Sequence, residues 1–163
     1  MTEAPTAPAG KIDPQLIVPF VSSVREVFQT MIGVEAKVSR PEVKSHPGAS
    51  YDVSSIIQFS GDVGGSVVIS FEMAAAGKFV EGFCGMAVEE GGEDFVDALG
   101  EIGNMVAGAA KKNLACNASI GIPSVIIGAG HQIARIKDVP CVVIPCETVN
   151  GNFAIEVSMK SNR

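Results

Sequence analysis

The chain has 163 residues, of which 47% are hydrophobic, 18% charged and 6% aromatic. A chain of this length can bury a large core, and this composition excludes disordered, collagen-like and disulfide-scaffold proteins. The net charge of −6 disfavours nucleic acids and acidic membranes as partners, because both bind basic surfaces. With so few aromatic residues, the core is expected to be aliphatic.

The amino-terminal residues 1–12 are predicted to form a flexible tail, and residues 13–163 a single folded domain. Residues 1–10 are rich in Pro, Ala and Thr and offer no apolar period to bury. They also lack the basic start and apolar centre of a secretory signal, and no run of eighteen apolar residues occurs in the chain. We therefore expect a soluble cytoplasmic protein with reduced thiols and no membrane contact.

The first half of the domain predicts one helix followed by strands. The helix is expected to begin at Pro19, which suits the first helical position, and to end at Gly33. Residue alternation after Ser66 predicts a strand with one buried face. The elements predicted after the helix are a strand at 34–38, a loop at 40–50, and a hairpin with strands at 52–60 and 66–71.

The second half predicts helices at 73–84 and 93–115 and strands at 124–127, 141–149 and 153–160. Asn150-Gly151, between the last two strands, is a strong hairpin signal. Strands and helices do not alternate regularly, which excludes a doubly wound dinucleotide-binding fold. We expect an α+β fold in which an antiparallel-rich sheet carries long helices on one face.

The helix predicted at 93–115 has one apolar and one polar face. At about 100° per residue, the apolar face contains Phe95, Leu99, Ile102, Val106, Ala109 and Ala110. The polar face contains Asp94, Asp97, Glu101, Asn104, Gly108 and Lys112, with Lys111 at its margin. Its acidic residues lie near the amino end and its basic residues near the carboxyl end, as the helix dipole favours.

Three glycines lie inside this helix, and each costs about 1 kcal/mol relative to alanine. Gly108 lies one turn beyond Asn104 on the polar face, where it leaves room for the backbone of another molecule. For Gly100 and Gly103, close packing against a neighbouring element and a functional role remain open alternatives.

Glu101 and Asn104 are three residues apart and therefore neighbours on the polar face. A carboxylate beside an amide can bind a cationic side chain and orient a water molecule. The E-x-x-N pattern alone is unspecific, since residues 147–150 match it on a predicted strand. An ordinary solvated helix face is the alternative. Glu26 and Gln29, on the first helix, form a weaker carboxylate–amide pair with the same spacing.

Other chemistry is not indicated. The four cysteines include no C-x-x-C pair, so neither a zinc site nor a thioredoxin-like pair is expected. His131 is expected to be a loop residue without a nucleophilic partner, and Cys116 a small apolar residue. The glycine-rich stretches at 61–65 and 128–130 lack the features of a phosphate-binding loop and are read as turns.

Residues 97–111, DALGEIGNMVAGAAK, resemble the signature helix of the CheC/CheX/FliY group of chemotaxis phosphatases. Other segments agree with the group in chain order, over about residues 13–160. They are Val18-Pro19-Phe20, the hairpin at 60–68, the stretch GIPSVIIG at 121–128, and Gly130-His131. Only one E-x-x-N lies on a predicted helix. The chain therefore resembles CheX more than CheC, because CheC members usually carry two such motifs.

The resemblance implies dephosphorylation of a phosphorylated CheY-like receiver domain. It implies that Asn104 positions the attacking water and that Glu101 pairs with the active-site lysine of the receiver. Partner contacts are then expected at Asp97, Gly108, Lys111 and Lys112. For the two lysines, capping of the helix dipole is an equally good explanation.

The resemblance further implies that this chain binds no cofactor of its own, since the receiver carries both the aspartyl phosphate and Mg²⁺. It also implies a homodimer in which the sheets of two subunits join. The alternative function is a non-catalytic adaptor that binds a receiver or a flagellar-switch component. A purely structural dimerisation domain leaves the helical glycines unexplained.

Overall fold

The computed structural model describes residues 12–162, which form an eight-stranded antiparallel sheet and three α-helices. Residues 1–11 of the predicted tail lie outside the described residues, so both that tail and the single-domain organisation stay predictions. The helices are α1 (Pro14–Val27), continued by a π-helical turn (Phe28–Ile32), α2 (Met73–Cys84) and α3 (Glu93–Lys112). The strands are β1 (Lys37–Val38), β2 (Glu42–Val43), β3 (Val53–Gly61), β4 (Val63–Phe71), β5 (Ala118–Ile120), β6 (Ser124–Ile127), β7 (Val142–Thr148) and β8 (Gly151–Ser161).

The strand order is β1-β7-β8-β4-β3-β5, with β2 also paired to β7 and β6 to β3. Every strand pair in the described residues is antiparallel. The helices pack against one face of β3, β4 and β8. The predicted α+β fold with an antiparallel sheet is therefore confirmed.

The first helix begins earlier than predicted. Asp13 caps it by accepting the Gln15 backbone N–H at 2.9 Å, and Pro14 occupies the first turn. Pro19, the predicted start, lies inside the helix, where it has no N–H to donate to the Gln15 carbonyl. The predicted end is confirmed, since Gly33 adopts a left-handed φ of 85°.

Short strands were the main errors of the sequence interpretation. The strand predicted at 34–38 is only two residues long, the loop predicted at 40–50 contains β2, and β5 was not predicted. Strands of two or three residues show too few alternations to reveal a period. The helix predicted to end at Ala115 ends at Lys112, and the final hairpin turns at Val149 and Asn150, one residue earlier than expected.

The β3–β4 hairpin is buried on both faces, although its alternation predicted one buried face. Helices cover the face of β4 that carries Val67, Ile69 and Phe71. The outer face carries Ser54 and Ser70, both fully buried. It is covered by two connecting segments, residues 44–52 and 128–141. They make hydrogen bonds to Ser54 and Ser70 and ion pairs to Glu156 on the neighbouring strand β8.

An ion-pair cluster fixes both covering segments to the sheet. Glu156 of β8 is fully buried on the outer face. Lys44 Nζ lies 2.5 Å and Arg135 Nη2 lies 3.2 Å from the same carboxylate oxygen of Glu156. One carboxylate is thus shared by two cations, one from each covering segment.

Phenylalanines occupy the centre of the core, which composition had predicted to be aliphatic. The rings of Phe28 and Phe153 stack with centroids 4.2 Å apart, and Phe79 packs edge-on against both. This cluster joins the π-helical turn, α2 and β8. Aliphatic side chains from α1, α3 and the sheet surround it.

Candidate functional site

α3 lies against β3 and β4 through the predicted apolar stripe. Phe95, Leu99, Ile102 and Val106 are fully buried, whereas Ala109 is only partly so. Glu93 and Asp94 lie in its first turn and Lys111 and Lys112 in its last, which suits the helix dipole. The burial of this stripe turns the opposite face of α3 outward.

The glycines of α3 fall into two classes. A methyl group on Gly103 would overlap the Ser55 hydroxyl, and one on Gly100 would lie 3.4 Å from Pro123 Cγ. Close packing therefore accounts for Gly103, whereas a methyl group on Gly100 would make an ordinary van der Waals contact. Around Gly108 no atom of the described residues lies within 4 Å of such a methyl group, so close packing does not account for this glycine.

Glu101 and Asn104 share the outward face of α3. Glu101 is exposed and Asn104 is half-buried. In the described part of the chain, neither side chain takes part in a hydrogen bond or ion pair. The carboxylate and the amide are therefore available, one helical turn apart, to groups of another molecule.

The other predicted contact residues extend along the same helix. Asp97, Lys111 and Lys112 are exposed, and Gly108 is half-buried with open space above it. At 1.5 Å per residue, the row from Asp97 to Lys112 is about 22 Å long. A partner that covers this row therefore meets carboxylates at one end and ammonium groups at the other.

Glu26 and Gln29 lie apart from this face. Both are exposed, and they line a groove bounded by α1, its π-helical turn and β1. Gln29 belongs to the π-helical turn, where the spacing differs from that of a regular α-helix. The pair therefore does not belong to the candidate site on α3.

The structure gives His131 a partner that sequence reasoning missed. His131 Nε2 lies 2.7 Å from Ser54 Oγ, and Nδ1 lies 2.7 Å from the carbonyl oxygen of Gly128. Since that carbonyl only accepts, Nδ1 carries a proton. Ser54 Oγ also lies 3.2 Å from Ser70 Oγ, to which it donates. Ser54 is fully buried, so this pair joins a covering segment to the sheet and does not present a nucleophile.

Two of the four cysteines have thiols that are harder to deprotonate than usual. Burial raises the pKa of Cys146 to about 12 and, mainly by the same effect, the pKa of Cys141 to about 11. All four thiols are free, and Cys84 is exposed. A buried neutral thiol is a poor nucleophile, because the thiolate is the reactive form.

Among residues 12–162, no group of three or more His, Cys, Asp or Glu side chains could hold a metal ion. The same residues include no helix that is both long and apolar enough to cross a membrane.

Residues 53–147, which include all of α3, match the family described as chemotaxis phosphatase CheX. The chain belongs to the CheX family. It is 29% identical over 157 residues to the CheY-P phosphatase CheX of Thermotoga maritima, covering 92% of this chain and 99% of the relative. The predicted family resemblance is thereby confirmed.

Solved structures agree with this assignment. A chemotaxis protein CheX from Desulfovibrio desulfuricans is 30% identical, with a TM-score of 0.82 over 91% of this chain and 99% of that one. CheX in the CheX–CheY–BeF3–Mg²⁺ complex from Borrelia burgdorferi is 23% identical, with a TM-score of 0.76 over 93% of this chain and 100% of that one. At that identity the second likeness shows the fold alone.

Proposed function

We propose that this member of the CheX family dephosphorylates a phosphorylated CheY-like receiver domain. One observation carries the proposal: on the outward face of α3, Glu101 and Asn104 present side by side a carboxylate and an amide that have no partner within residues 12–162. Family membership and the names of the relatives support the substrate class. The curated Thermotoga maritima relative is named a CheY-P phosphatase, and the Borrelia burgdorferi CheX structure is a complex with CheY.

In this proposal Asn104 positions the attacking water. Its amide has both a donor and an acceptor, so it can hold a water in line with the phosphorus of an aspartyl phosphate. Phosphoryl transfer depends mostly on positioning and charge stabilisation, so this single insertion can accelerate hydrolysis greatly. The free amide and half-buried position of Asn104 suit insertion into the active site of a partner.

Glu101 is proposed to bind the active-site lysine of the receiver. An exposed carboxylate without an internal partner loses no existing ion pair when it binds an external ammonium group. The receiver is expected to supply Mg²⁺ along with the phosphoryl group, and this chain no cofactor. Asp97, Lys111 and Lys112, together with the space above Gly108, are proposed to complete the contact surface.

The test measures decay of a phosphorylated CheY-like receiver in Mg²⁺, with substoichiometric amounts of this protein. Multiple turnover is expected, with loss of at least about 100-fold in kcat for Asn104→Ala while receiver binding is largely retained. Glu101→Ala is expected to weaken both binding and turnover.

The double variant Glu26→Ala/Gln29→Ala is the matched control, since it removes a carboxylate and an amide at the same spacing from α1. Full activity of this control is expected. Full activity of Asn104→Ala would overturn the role of the amide, and binding without any accelerated decay would instead establish the adaptor function.

We also infer a homodimer from the family resemblance. The short strands β1 and β2 on one side of the sheet and β5 and β6 on the other leave edges at which a second sheet could pair. Light scattering at several concentrations tests this, and a monomeric mass at all of them would contradict it.

A further inference from the structure

The connection between β5 and β6 displays an apolar side chain to solvent. Ile122 is 91% exposed, which leaves unused about 1.5–3 kcal/mol of possible hydrophobic stabilisation. The connection is fixed on both sides of this residue. The Gly121 backbone N–H donates to the Gln58 carbonyl oxygen at 2.9 Å, and Pro123 packs against α3.

Gly100 brings this connection to the candidate site. A Cβ at this position would lie in van der Waals contact with Pro123 Cγ at 3.4 Å and Val125 Cγ2 at 3.7 Å, so Pro123 packs directly beside the helix here. Gly100 precedes Glu101 in the chain. It lies one turn before Asn104, about 40° around the helix axis on the side away from Glu101. The connection therefore borders the Asn104 side of the site.

Ile122 lies within the area that a receiver domain docked on this site would cover. Stable interfaces bury about 800 Å² on each partner, which as a disc has a radius of about 16 Å. From Gly100 through Pro123, the chain reaches Ile122 in about 11 Å or less. An interface of this radius centred near Gly100, one turn from Asn104, thus includes this residue.

We propose that Ile122 is the apolar docking residue for the receiver domain, an inference that rests on the proposed function. The charged residues of α3 are exposed, and exposed ion pairs contribute little affinity while they fix orientation. Burial of a rigidly held isoleucine adds affinity without reorganisation of the loop. Ile122 thereby retains the receiver while Asn104 acts on the phosphoryl group.

The test compares Ile122→Ser with Val149→Ser. Val149 is also 91% exposed. It lies in the turn between β7 and β8, and β8 and β4 separate β7 from β3. With phosphorylated receiver and Mg²⁺, Ile122→Ser is expected to raise KM roughly tenfold and leave kcat unchanged. Val149→Ser is expected to change neither, and both variants should keep the thermal unfolding midpoint of the unsubstituted protein.

Failure of this inference is distinct from failure of the proposed function. If Asn104→Ala abolishes turnover but the two serine variants have equal KM values, the docking role is wrong and the phosphatase stands. If the unsubstituted protein does not accelerate decay, fluorescence anisotropy with a labelled receiver measures the Kd of both serine variants, and equal values overturn the docking role. Conversion of a dimer to a monomer by Ile122→Ser alone would assign this surface to a second copy and also overturn it.

Discussion

Lys44 Nζ lies 2.5 Å from the Glu156 carboxylate, with 3% of the Lys44 side chain and none of the Glu156 side chain exposed. Arg135 reaches the same oxygen atom from the other covering segment. A single buried carboxylate is therefore the counter-charge for two cations, and each cation belongs to a different segment that covers the outer face of the sheet.

Glu156→Gln is expected to lower the free energy of unfolding by about 3–5 kcal/mol, because it leaves both cations buried without a counter-charge. Lys44→Met is expected to lower the free energy of unfolding by less, since Arg135 keeps its ion pair with Glu156. Urea denaturation measures both. Glu147→Gln, at an exposed position on β7, is the control and should lie within about 0.5 kcal/mol of the unsubstituted protein. Equal costs for Glu156→Gln and Lys44→Met would contradict the shared-carboxylate arrangement.

Gly103→Ala is expected to destabilise the protein by about 1–3 kcal/mol, since the new methyl group overlaps the Ser55 hydroxyl. Ser55 Oγ is buried without a hydrogen-bond partner among the described residues, so Ser55→Ala alone should be close to neutral. The double variant should recover part of the loss by removing the overlapping oxygen. Chemical denaturation of the three variants tests this, and additive effects of the two substitutions would refute the contact.

Gly108→Ala is expected to raise the free energy of unfolding by about 1 kcal/mol, the difference in helix propensity, because its surroundings are open. It is also expected to raise KM for the phosphorylated receiver several-fold, since the methyl group occupies space proposed for the partner. Gly77→Ala in α2 is the matched control, as its surroundings are equally open. That variant should gain similar stability with unchanged KM, and an unchanged KM for both would remove Gly108 from the contact surface.

The raised pKa of Cys146, about 12 by burial, predicts that stability declines in alkaline solution. A thiol in the unfolded chain titrates near pH 8.5. Between that pH and about 12, only the unfolded chain loses the proton, so the free energy of unfolding falls as the pH rises through this window. Cys146→Ala should show a smaller decline between pH 8.5 and 10.5 than the unsubstituted protein. Cys84→Ala, at an exposed position, should leave the decline unchanged.

Long elements with one periodic face were predictable from sequence. The stripe from Phe95 to Val106 repeats every three to four residues, which predicts both a helix and its buried face. The alternation of β4 predicts a strand in the same way. Elements of two or three residues, such as β1, β2 and β5, contain no period, and tertiary pairing alone reveals them.

Contacts distant in sequence could not be predicted. Ser54 and His131 are 77 residues apart, and no local spacing links a serine on a strand to a histidine in a connection. The same holds for the segments that cover the outer face. These segments bury the face of β3 and β4 that carries the serines. Alternating small polar residues are instead typical of a sheet face exposed to solvent.

The candidate site lies between these cases. Helical spacing places Glu101 and Asn104 on one face, so the pair itself was predictable. Whether the face is free of other elements depends on what packs beside it. The same limit applies to the glycines, since the sequence of α3 does not say that Ser55 lies beneath Gly103 or that Pro123 lies against Gly100.

The contact between Gly103 and Ser55 determines the rotational register of α3. A turn of the helix by one residue, about 100°, would place the side chain of Ile102 or Asn104 over Ser55, where even a methyl group does not fit. The direction of the Asn104 amide is therefore set by a strand beneath the helix, and α3 has one angular setting on the sheet. Substitution of Ser55 by a larger residue is therefore expected to change the direction of the Asn104 amide, although Ser55 lies on the buried side of the helix.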